Sequence, residues 1–448
     1  MLNKAKQKSE TPPGCIELER QTKHLGSRWE WVKPEIWSNN MLEALVNGVK
    51  GGKWFSLIDK VYAPKTLMIA WEQVRNNKGA AGIDGVSIKR FELNAELYLK
   101  ELSLEIKENR YIPQDVKRVY IPKGVGKTRP LGIPVVKDRI VQTAVKLVIE
   151  PIFENEFISS SYGFRPGKSA KDALREVNDL IERGYIHYVD ADLQSYFDTI
   201  CHDKLMEKLR KRIADSRVLR IIESWLKQDI MEGSKSWTPT MGSPQGAVIS
   251  PLLANIYLHD FDKAITESGI KMVRFADDFV ILTKSEEQAK AVLKGVIKWM
   301  DKENLIIHPE KTHTGNCMIE GQGFDFLGYR FENGKRWIRK KSIQKFRDRI
   351  RELTKRTNGQ SIHTTVKRLN STLKGWYNYF KHVSKWSLNT FDTFVRRRLR
   401  AILRKQEKRP GFGLCPRDHM RWNLAYFAKL GLFATESARQ KELKLLKN

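Results

Sequence analysis

Residues 273–282 read VRFADDFVIL, from Val273 to Leu282. Two largely apolar runs, Met272 to Phe275 and Phe279 to Leu282, flank a connection that carries Asp277 and Asp278. Bulky and β-branched residues on both sides of an Asp-bearing turn predict a hairpin with the two acids at its tip. Adjacent carboxylates repel unless a cation or solvent screens them, so the stretch is either an ordinary exposed turn or a divalent-metal site. The rest of the chain has to decide between these.

The chain has 448 residues, enough for two or three domains, and at 41% hydrophobic it can bury a real core. It carries 81 Lys and Arg against 52 Asp and Glu, a net charge of +29. Such an excess points to a polyanionic partner. An anionic membrane surface is the competitor, but apolar stretches such as Ile140 to Phe157 are short and broken by charges, so nucleic acid is favoured and no membrane partner is expected. Cys15, Cys201, Cys317 and Cys415 show no CxxC spacing, which excludes a zinc ribbon and suits a reducing compartment. The opening MLNKAKQKSETPPG lacks the apolar core of a signal peptide, so a cytoplasmic, bacterial location is expected.

Working outward from the hairpin, Ile186 to Leu193 (IHYVDADL) reads as a strand ending in acids. Asp190 and Asp192 lie two apart and share one face, while Val189 and Ala191 take the other. Charges at the end of an apolar strand are costly unless paired or metal-bound. Arg118 to Pro134 (RVYIPKGVGKTRPLGIP) reads as a second hairpin with Lys123, Lys127 and Arg129 near its tip, either a solvated basic turn or a flap over a triphosphate. Lys78 to Gly85 (KGAAGIDG) lacks the GK[ST] ending of a Walker loop and is a weak phosphate-loop candidate.

Helices are predicted from Asp138 to about Phe157, from Ser169 onward, from Lys204 to about Leu226, from Leu252 to about Ser268 and from Glu286 to Glu303. A short strand pair begins at Phe326-Leu327-Gly328-Tyr329. Residues before about Trp29 are expected to form a poorly ordered tail. The aromatics that follow, Trp29 to Tyr62, interleave with lysines, which suits either base stacking or small packed helices. A short amphipathic helix is expected from Trp422 to Leu432.

Between Lys340 and Pro410 the chain carries 21 Lys and Arg against 4 Asp and Glu, a net of +17. Three helices are legible there, marked by Ile343-Phe346-Ile350-Leu353, by Ile362-Val366-Leu369-Leu373-Trp376-Phe380 and by Leu388-Phe391-Val395-Leu399-Ile402. Each has a core stripe and a basic back. Uncompensated, +17 would repel itself, so this module is read as a nucleic-acid binder. A strand ending in Asp192 and a tip bearing Asp277-Asp278 are what two-metal phosphoryl transfer needs. Two Mg²⁺ ions roughly 3.5–4 Å apart activate a 3′-hydroxyl and stabilise the leaving pyrophosphate. Nucleotidyl transfer is favoured over hydrolysis, with a metal nuclease as the rival.

At these residues the sequence resembles the group II intron reverse transcriptase/maturase family. The resemblance is carried by SYGFRPGKSAKDAL (161–174), DLQSYFD (192–198), SPQGAVISPLLANIYL (243–258), RFADD (274–278), FLGY (326–329) and KGWYNYF (374–380), in the family's order. It implies an α+β right-hand polymerase fold, fingers and a palm with an antiparallel sheet, followed by an α-helical thumb or maturase (X) domain. The implied divisions are an N-terminal extension to residue 60, fingers and palm over 61–335, thumb over 336–412, and a small DNA-binding segment over 413–448 that contains AYFAKLGLF.

The resemblance further implies Asp192, Asp277 and Asp278 as the catalytic triad, with Asp192, Asp277 and the Leu193 carbonyl as Mg²⁺ ligands. Lys123 and Arg129 grip the triphosphate, Phe197 excludes a ribose 2′-hydroxyl, and Gln245 and Gly246 line the nucleotide pocket. Arg165, Lys374, Trp376, Arg396, Arg397 and Arg398 are implied nucleic-acid contacts. The implied partners are group II intron RNA, an RNA template/DNA primer duplex, target DNA and dNTPs. The implied function is RNA-directed DNA synthesis together with help to intron splicing, where the protein stabilises the ribozyme's active shape by differential affinity. Alternatives are a reverse transcriptase detached from any intron, acting in phage defence or repair, and a maturase-only RNA binder. The chain departs from the family pattern at Phe275, where Tyr is usual, and at Ala247, where a second Gly is usual. With no paired CxxC, it resembles members that lack the HNH endonuclease module. Cys415 and His419 are read as structural.

Overall fold

A computed structural model describes residues 28–445 except positions 125, 358 and 384. The expected N-terminal tail lies outside the described residues. The chain divides into two compact units that interleave in sequence. One comprises Met1–Ser169, Asp192–Asp277 and Lys294–Pro309; the other comprises Ala170–Ala191, Asp278–Leu293 and Glu310–Asn448.

In the first unit, the basic hairpin forms as expected from strands β1 (Val116–Gly124) and β2 (Lys127–Ile133). They pair antiparallel with Ile121 opposite Arg129 and Tyr120 opposite Pro130. Pro130 is tolerated because β2 is an edge of the sheet β2-β1-β4-β5, in which β4 is Ile230–Glu232 and β5 is Lys235–Trp237. Helix α1 (Val136–Glu154) is buried on most of its surface. Helix α3 (Ser250–Glu267), with Leu253, Tyr257, Leu258 and Phe261 essentially inaccessible, forms the spine of this unit. Strand β6 (Lys271–Phe275) runs beside residues 160–162, since Arg274 N–H donates to the Ser160 carbonyl and Tyr162 N–H to that of Arg274.

Two expectations are corrected here. The helical stretch from Lys204 breaks into His202–Arg210 and Ser216–Leu226, because Asp215 caps the second helix through Arg217 and Val218 N–H and also receives Leu57 and Ile58 N–H. Residues 78–85 form no phosphate loop. Arg139 donates to the Ala80 carbonyl, and a Cβ at Gly82 would meet the Val135 backbone at 2.7 Å, so the loop is stitched onto α1. The N-terminal aromatics are mostly packing: Trp29 and Trp37 are 3% and 1% exposed, and Trp37 stacks edge-on against Trp54.

In the second unit, helix α2 (Ala170–Glu182) buries Ala173, Leu174, Val177 and Leu180, the stripe its spacing predicts. Strand β3 (His187–Asp192) pairs antiparallel with β8 (His313–Asn316) on one side and neighbours β7 (Asp278–Thr283) on the other. The Thr283 hydroxyl reaches the His187 carbonyl, which sets the end of β7 beside the start of β3. The two strands therefore run in opposite senses, and β7 begins on the side where β3 finishes. Phe279 to Thr283 are all buried, as expected of a central strand. The expected strand pair is a three-stranded meander, β9 (Phe324–Phe326), β10 (Tyr329–Glu332) and β11 (Lys335–Ile338). Leu327 and Gly328 turn between its first two strands with φ of 46° and 83°.

The helical module contains α4 (Lys340–Leu353), α5 (Ile362–Phe380), α6 (Lys385–Gln406) and α7 (Thr435–Leu445). Apolar residues at three- and four-residue spacing face inward, with Phe346, Trp376 and Phe391 as the aromatic centre at centroid distances of 4.4 to 5.3 Å. Asp392, 5% exposed, accepts from Thr435 and Glu436 N–H and so fixes the start of α7. Beyond residue 415 the expected short helix is present as Leu424–Lys429, capped by Asn423, and a further short helix, Pro416–Arg421, precedes it.

Candidate active site

The approach to Asp277 is organised by a residue the sequence reading passed over. Arg274 is 0% exposed, and its guanidinium donates from Nε to Asp262 Oδ1 at 2.7 Å and from Nη2 to Asp262 Oδ2. Nη1 donates to Asn255 Oδ1 at 2.9 Å and to the Ala276 carbonyl at 2.8 Å. Burial works against this charge, but Asp262 outweighs it and holds the guanidinium above its ordinary pKa. Asn255 and Asp262 lie two turns apart on one face of α3. Asn255 Nδ2 in turn donates to the Gly163 carbonyl at 2.8 Å. A Cβ at Gly163 would stand 2.2 Å from the Ala276 nitrogen, so SYGF reaches the tip only because position 163 is glycine. Ala276 itself has φ 61°, an uncommon value for a residue with a Cβ, and its carbonyl is clamped by Arg274. The residue immediately before Asp277 is thus held from both sides.

The Asp192 segment is fixed by the same helix. The Asp192 carbonyl accepts from His308 N–H at 2.8 Å, Leu193 bridges to Ile307, and Gln194 N–H donates to Ile306 O at 2.7 Å. Ser195, at φ 49°, then turns the chain so that Tyr196, 2% exposed, donates its hydroxyl to the Ala254 carbonyl at 2.6 Å. Ala254 and Asn255 are consecutive on α3. One anchors the stretch that follows Asp192, and the other anchors the stretch that precedes Asp277. Burial holds the Tyr196 hydroxyl far above its usual pKa, and Asp277 adds to this, so the tip lies within electrostatic reach of Tyr196.

Asp192, Asp277 and Asp278 are each partly exposed at a strand end. Carboxylates and a backbone carbonyl are hard oxygen donors of the kind Mg²⁺ takes, so the chemistry of this donor set fits that ion. Among the described residues, no group of three or more His, Cys, Asp or Glu stands together in a metal-holding cluster.

The residues expected to line a nucleotide pocket all lie in the first unit. Gly132 N–H on β2 donates to the Gln245 carbonyl at 2.6 Å, and a Cβ at Gly246, whose φ is 111°, would stand 2.6 Å from the Gly132 carbonyl. Only glycine allows that approach. Phe197 is half-buried, and its carbonyl accepts from Ser243 N–H at 2.7 Å. Arg129 is exposed on β2. Lys123 belongs to β1, but its side chain lies outside the described residues. Asp198 was missed by the sequence reading. Burial raises its carboxyl pKa, while Arg118 and Arg129 oppose that rise, which puts both cations within reach of the DLQSYFD turn. Arg118, Asp198, Trp237 and residues 238–244 line a cleft of about 300 Å³ here, with Arg118 5.3 Å from the centre of the Trp237 ring.

Several expected nucleic-acid contacts have other work. Arg165 is 8% exposed and donates to both oxygens of Glu154 and to the Ile158 and Ser161 carbonyls. It pins the turn before SYGF to the end of α1 and has no face for a phosphate. Trp376 is packed between Phe346 and Phe391. Arg398 donates to the Thr354 hydroxyl and carbonyl and closes the end of α4, while Arg396 donates to the Thr393 hydroxyl. Lys374 and Arg397 are exposed, and Arg397 lines a cleft of about 320 Å³ with Arg347, Arg351 and Phe394.

The class of protein is a template-directed nucleotidyltransferase of the reverse transcriptase type. Residues 121–331 match the family model for reverse transcriptase (RNA-dependent DNA polymerase), and residues 343–421 match the group II intron, maturase-specific domain. The chain belongs to the group II intron reverse transcriptase/maturase family. It is 34% identical over 333 residues to Protein YkfC of Escherichia coli (strain K12), covering 64% of this chain and 84% of that one. It is also 34% identical over 212 residues to Group II intron-encoded protein LtrA of Lactococcus lactis subsp. cremoris, covering 47% of this chain and 35% of LtrA. Among solved structures, a telomerase from Candida albicans is similar over 70% of this chain and 63% of its own, at 13% identity and a TM-score of 0.40. The fold is that of a reverse transcriptase followed by a helical maturase module, and the activity that goes with it is RNA-directed DNA polymerisation. No helix among the described residues is long and apolar enough to cross a membrane.

Proposed function

We propose that Asp192, Asp277 and Asp278, with the Leu193 carbonyl, hold two Mg²⁺ ions and that the chain extends a DNA primer on an RNA template from dNTPs. The observation that carries this reading is the anchoring of both acid-bearing segments on Ala254 and Asn255. When bound, such ions lower the pKa of a 3′-hydroxyl and neutralise the departing pyrophosphate. The primer 3′-oxygen bonds to the α-phosphorus as the bond to the β-phosphate oxygen breaks, and the hydroxyl proton passes to solvent. Arg129 and Lys123 supply positive charge to the triphosphate from the flap. Gly246 would leave its backbone open to the nucleotide, and Phe197 would exclude a ribose 2′-hydroxyl. Residues 61–335 form the polymerase body, 336–412 hold intron RNA for splicing, and 413–448 contact target DNA.

Primer extension on poly(rA)/oligo(dT) with and without Mg²⁺ tests the chemistry. Asp277→Ala is expected to abolish extension while leaving RNA affinity within a few fold. Surviving extension would refute the acid assignment.

A further inference from the structure

The turn between β9 and β10 is held in a conformation that its first residue would not choose. Leu327 and Gly328 occupy it with φ of 46° and 83°, and a left-handed leucine is uncommon because its Cβ crowds the following carbonyl. Such backbone persists only where its neighbours over-determine it. Here the neighbours come from the helical module. The Tyr379 hydroxyl, at the end of α5, donates to the Leu327 carbonyl at 2.8 Å. The Gly328 carbonyl accepts from Arg339 N–H at 3.0 Å, just before α4, and from the Ser342 hydroxyl at 3.3 Å. A Cβ at Gly328 would meet Ser342 Oγ at 3.2 Å and the Phe380 ring at 3.5 Å, so both helices close on the turn.

Tyr379 is itself fixed. Its ring is 6.0 Å from that of Tyr329 and 4.8 Å from that of Phe380, and its carbonyl accepts from the Tyr329 hydroxyl. The acid at the start of β7 bears on the same side chain. Burial raises the Tyr379 pKa and Asp278 raises it further, which keeps the hydroxyl a donor and puts it within electrostatic reach of that carboxylate. β9 also packs against β7, and Asp278, Leu327, Gly328 and Tyr379 all belong to the second unit. Tyr379 lies inside the segment that matches the maturase-specific domain, whereas Asp278 and Leu327 lie inside the one that matches reverse transcriptase. One hydroxyl thus ties the helical module to the turn near a catalytic acid.

We propose that Tyr379 is a positioning residue for DNA synthesis, whose hydroxyl locks the Leu327-Gly328 turn in its left-handed form near Asp278 and so aligns the primer 3′-end for attack. The inference rests on Asp278 being an acid of the active site. Tyr379 acts through the turn and not on the substrate directly. Without the hydroxyl, Leu327 relaxes toward negative φ and the turn shifts, and small displacements at reacting groups are costly in rate. The ring packing survives that loss, because phenylalanine fills nearly the same volume.

The test is single-turnover extension of a DNA primer annealed to RNA, with the full-length protein and varied dNTP. Tyr379→Phe should melt like the wild type and keep its primer-template affinity and half-saturating dNTP concentration within about twofold, while its maximal rate falls about tenfold, the equivalent of one net hydrogen bond. Adding Leu327→Asn should restore most of that loss, because asparagine adopts a left-handed backbone more readily than leucine. A hydroxyl that merely stabilised the fold would show neither the split nor the rescue. If Tyr379→Phe fails to fold, Ser342→Ala removes a bond to the same turn and should lower the maximal rate about threefold, with the same rescue. A wild-type maximal rate in the folded variants, or a loss that Leu327→Asn leaves untouched, overturns the proposal. Undiminished synthesis by Asp278→Ala would overturn the reading beneath it, whereas an inactive Asp278→Ala beside an unimpaired Tyr379→Phe overturns this inference alone.

Discussion

Gly163→Ala isolates the geometry that holds the catalytic tip. The added Cβ would stand 2.2 Å from the Ala276 nitrogen and 2.8 Å from the Phe275 carbonyl carbon, against an ordinary contact of at least about 3.4 Å. Both obstacles are backbone, so no side-chain rotation relieves the overlap, and the strand approaching Asp277 must move by about an ångström. Overpacking of this kind costs about 1–3 kcal/mol of stability. A misplacement of about 1 Å at reacting groups costs on the order of 100-fold in rate. Single-turnover extension of an annealed DNA primer on RNA, at a temperature where thermal melting shows the variant folded, should therefore fall about 100-fold with primer-template affinity little changed. Gly167→Ala is the control. Gly167 has φ 68°, and a Cβ added there would meet nothing within 4 Å, so its cost is only the roughly 1–2 kcal/mol of a left-handed alanine, with no loss of rate. Wild-type extension by folded Gly163→Ala would refute the claim that this contact positions the tip.

Three further outcomes follow from other parts of the molecule. Burial pushes the Asp138 carboxyl up to about 6, opposed by hydrogen bonds from Tyr111 and the Gln114 N–H. The folded state therefore holds a proton that the unfolded chain releases near pH 4, so this contribution is complete at low pH, is lost as pH rises to about 6 and is absent above. It amounts to up to about 3 kcal/mol, and denaturant titrations of Asp138→Asn should lack that decline. Arg397→Gln should reduce RNA affinity and its salt slope by somewhat under one unit with no change in melting temperature. Arg398→Gln should instead lower the melting temperature, because its guanidinium closes the end of α4. Trp376→Ala should cost about 3–5 kcal/mol in chemical denaturation, as expected for the centre of a packed cluster.

The architecture was legible where local pattern and burial agree. Val273 to Leu282 announced a hairpin because its apolar runs and Asp turn satisfy strand and turn preferences together, and Asp190 and Asp192 announced a shared face by their spacing. The basic flap and the three stripes of the helical module were readable for the same reason. What escaped depends on partners distant in sequence. A charged Arg274 inside an apolar strand did signal a need for compensation, but nothing local named Asp262 and Asn255 as its partners. Arg165 looked available for phosphate because Glu154 sits at the end of the preceding helix, and only folding brings the two together. Trp376 fell on the core stripe of its own helix, and its periodicity was the better guide than the motif around it. Asp215 followed by Ser-Arg-Val carried a helix-start signature that would have divided the stretch from Lys204.

The central claim, that Asp192 and Asp277 converge on shared cations, can be measured without assaying synthesis. Fe²⁺ substituted for Mg²⁺ generates hydroxyl radicals with ascorbate and peroxide and cuts the backbone close to where the ion resides. Two cuts are expected, one beside Asp192 and one beside Asp277, both suppressed by excess Mg²⁺ and both lost in Asp277→Ala. A cut at one position that persists when the other acid is replaced would show that the two carboxylates do not share a site.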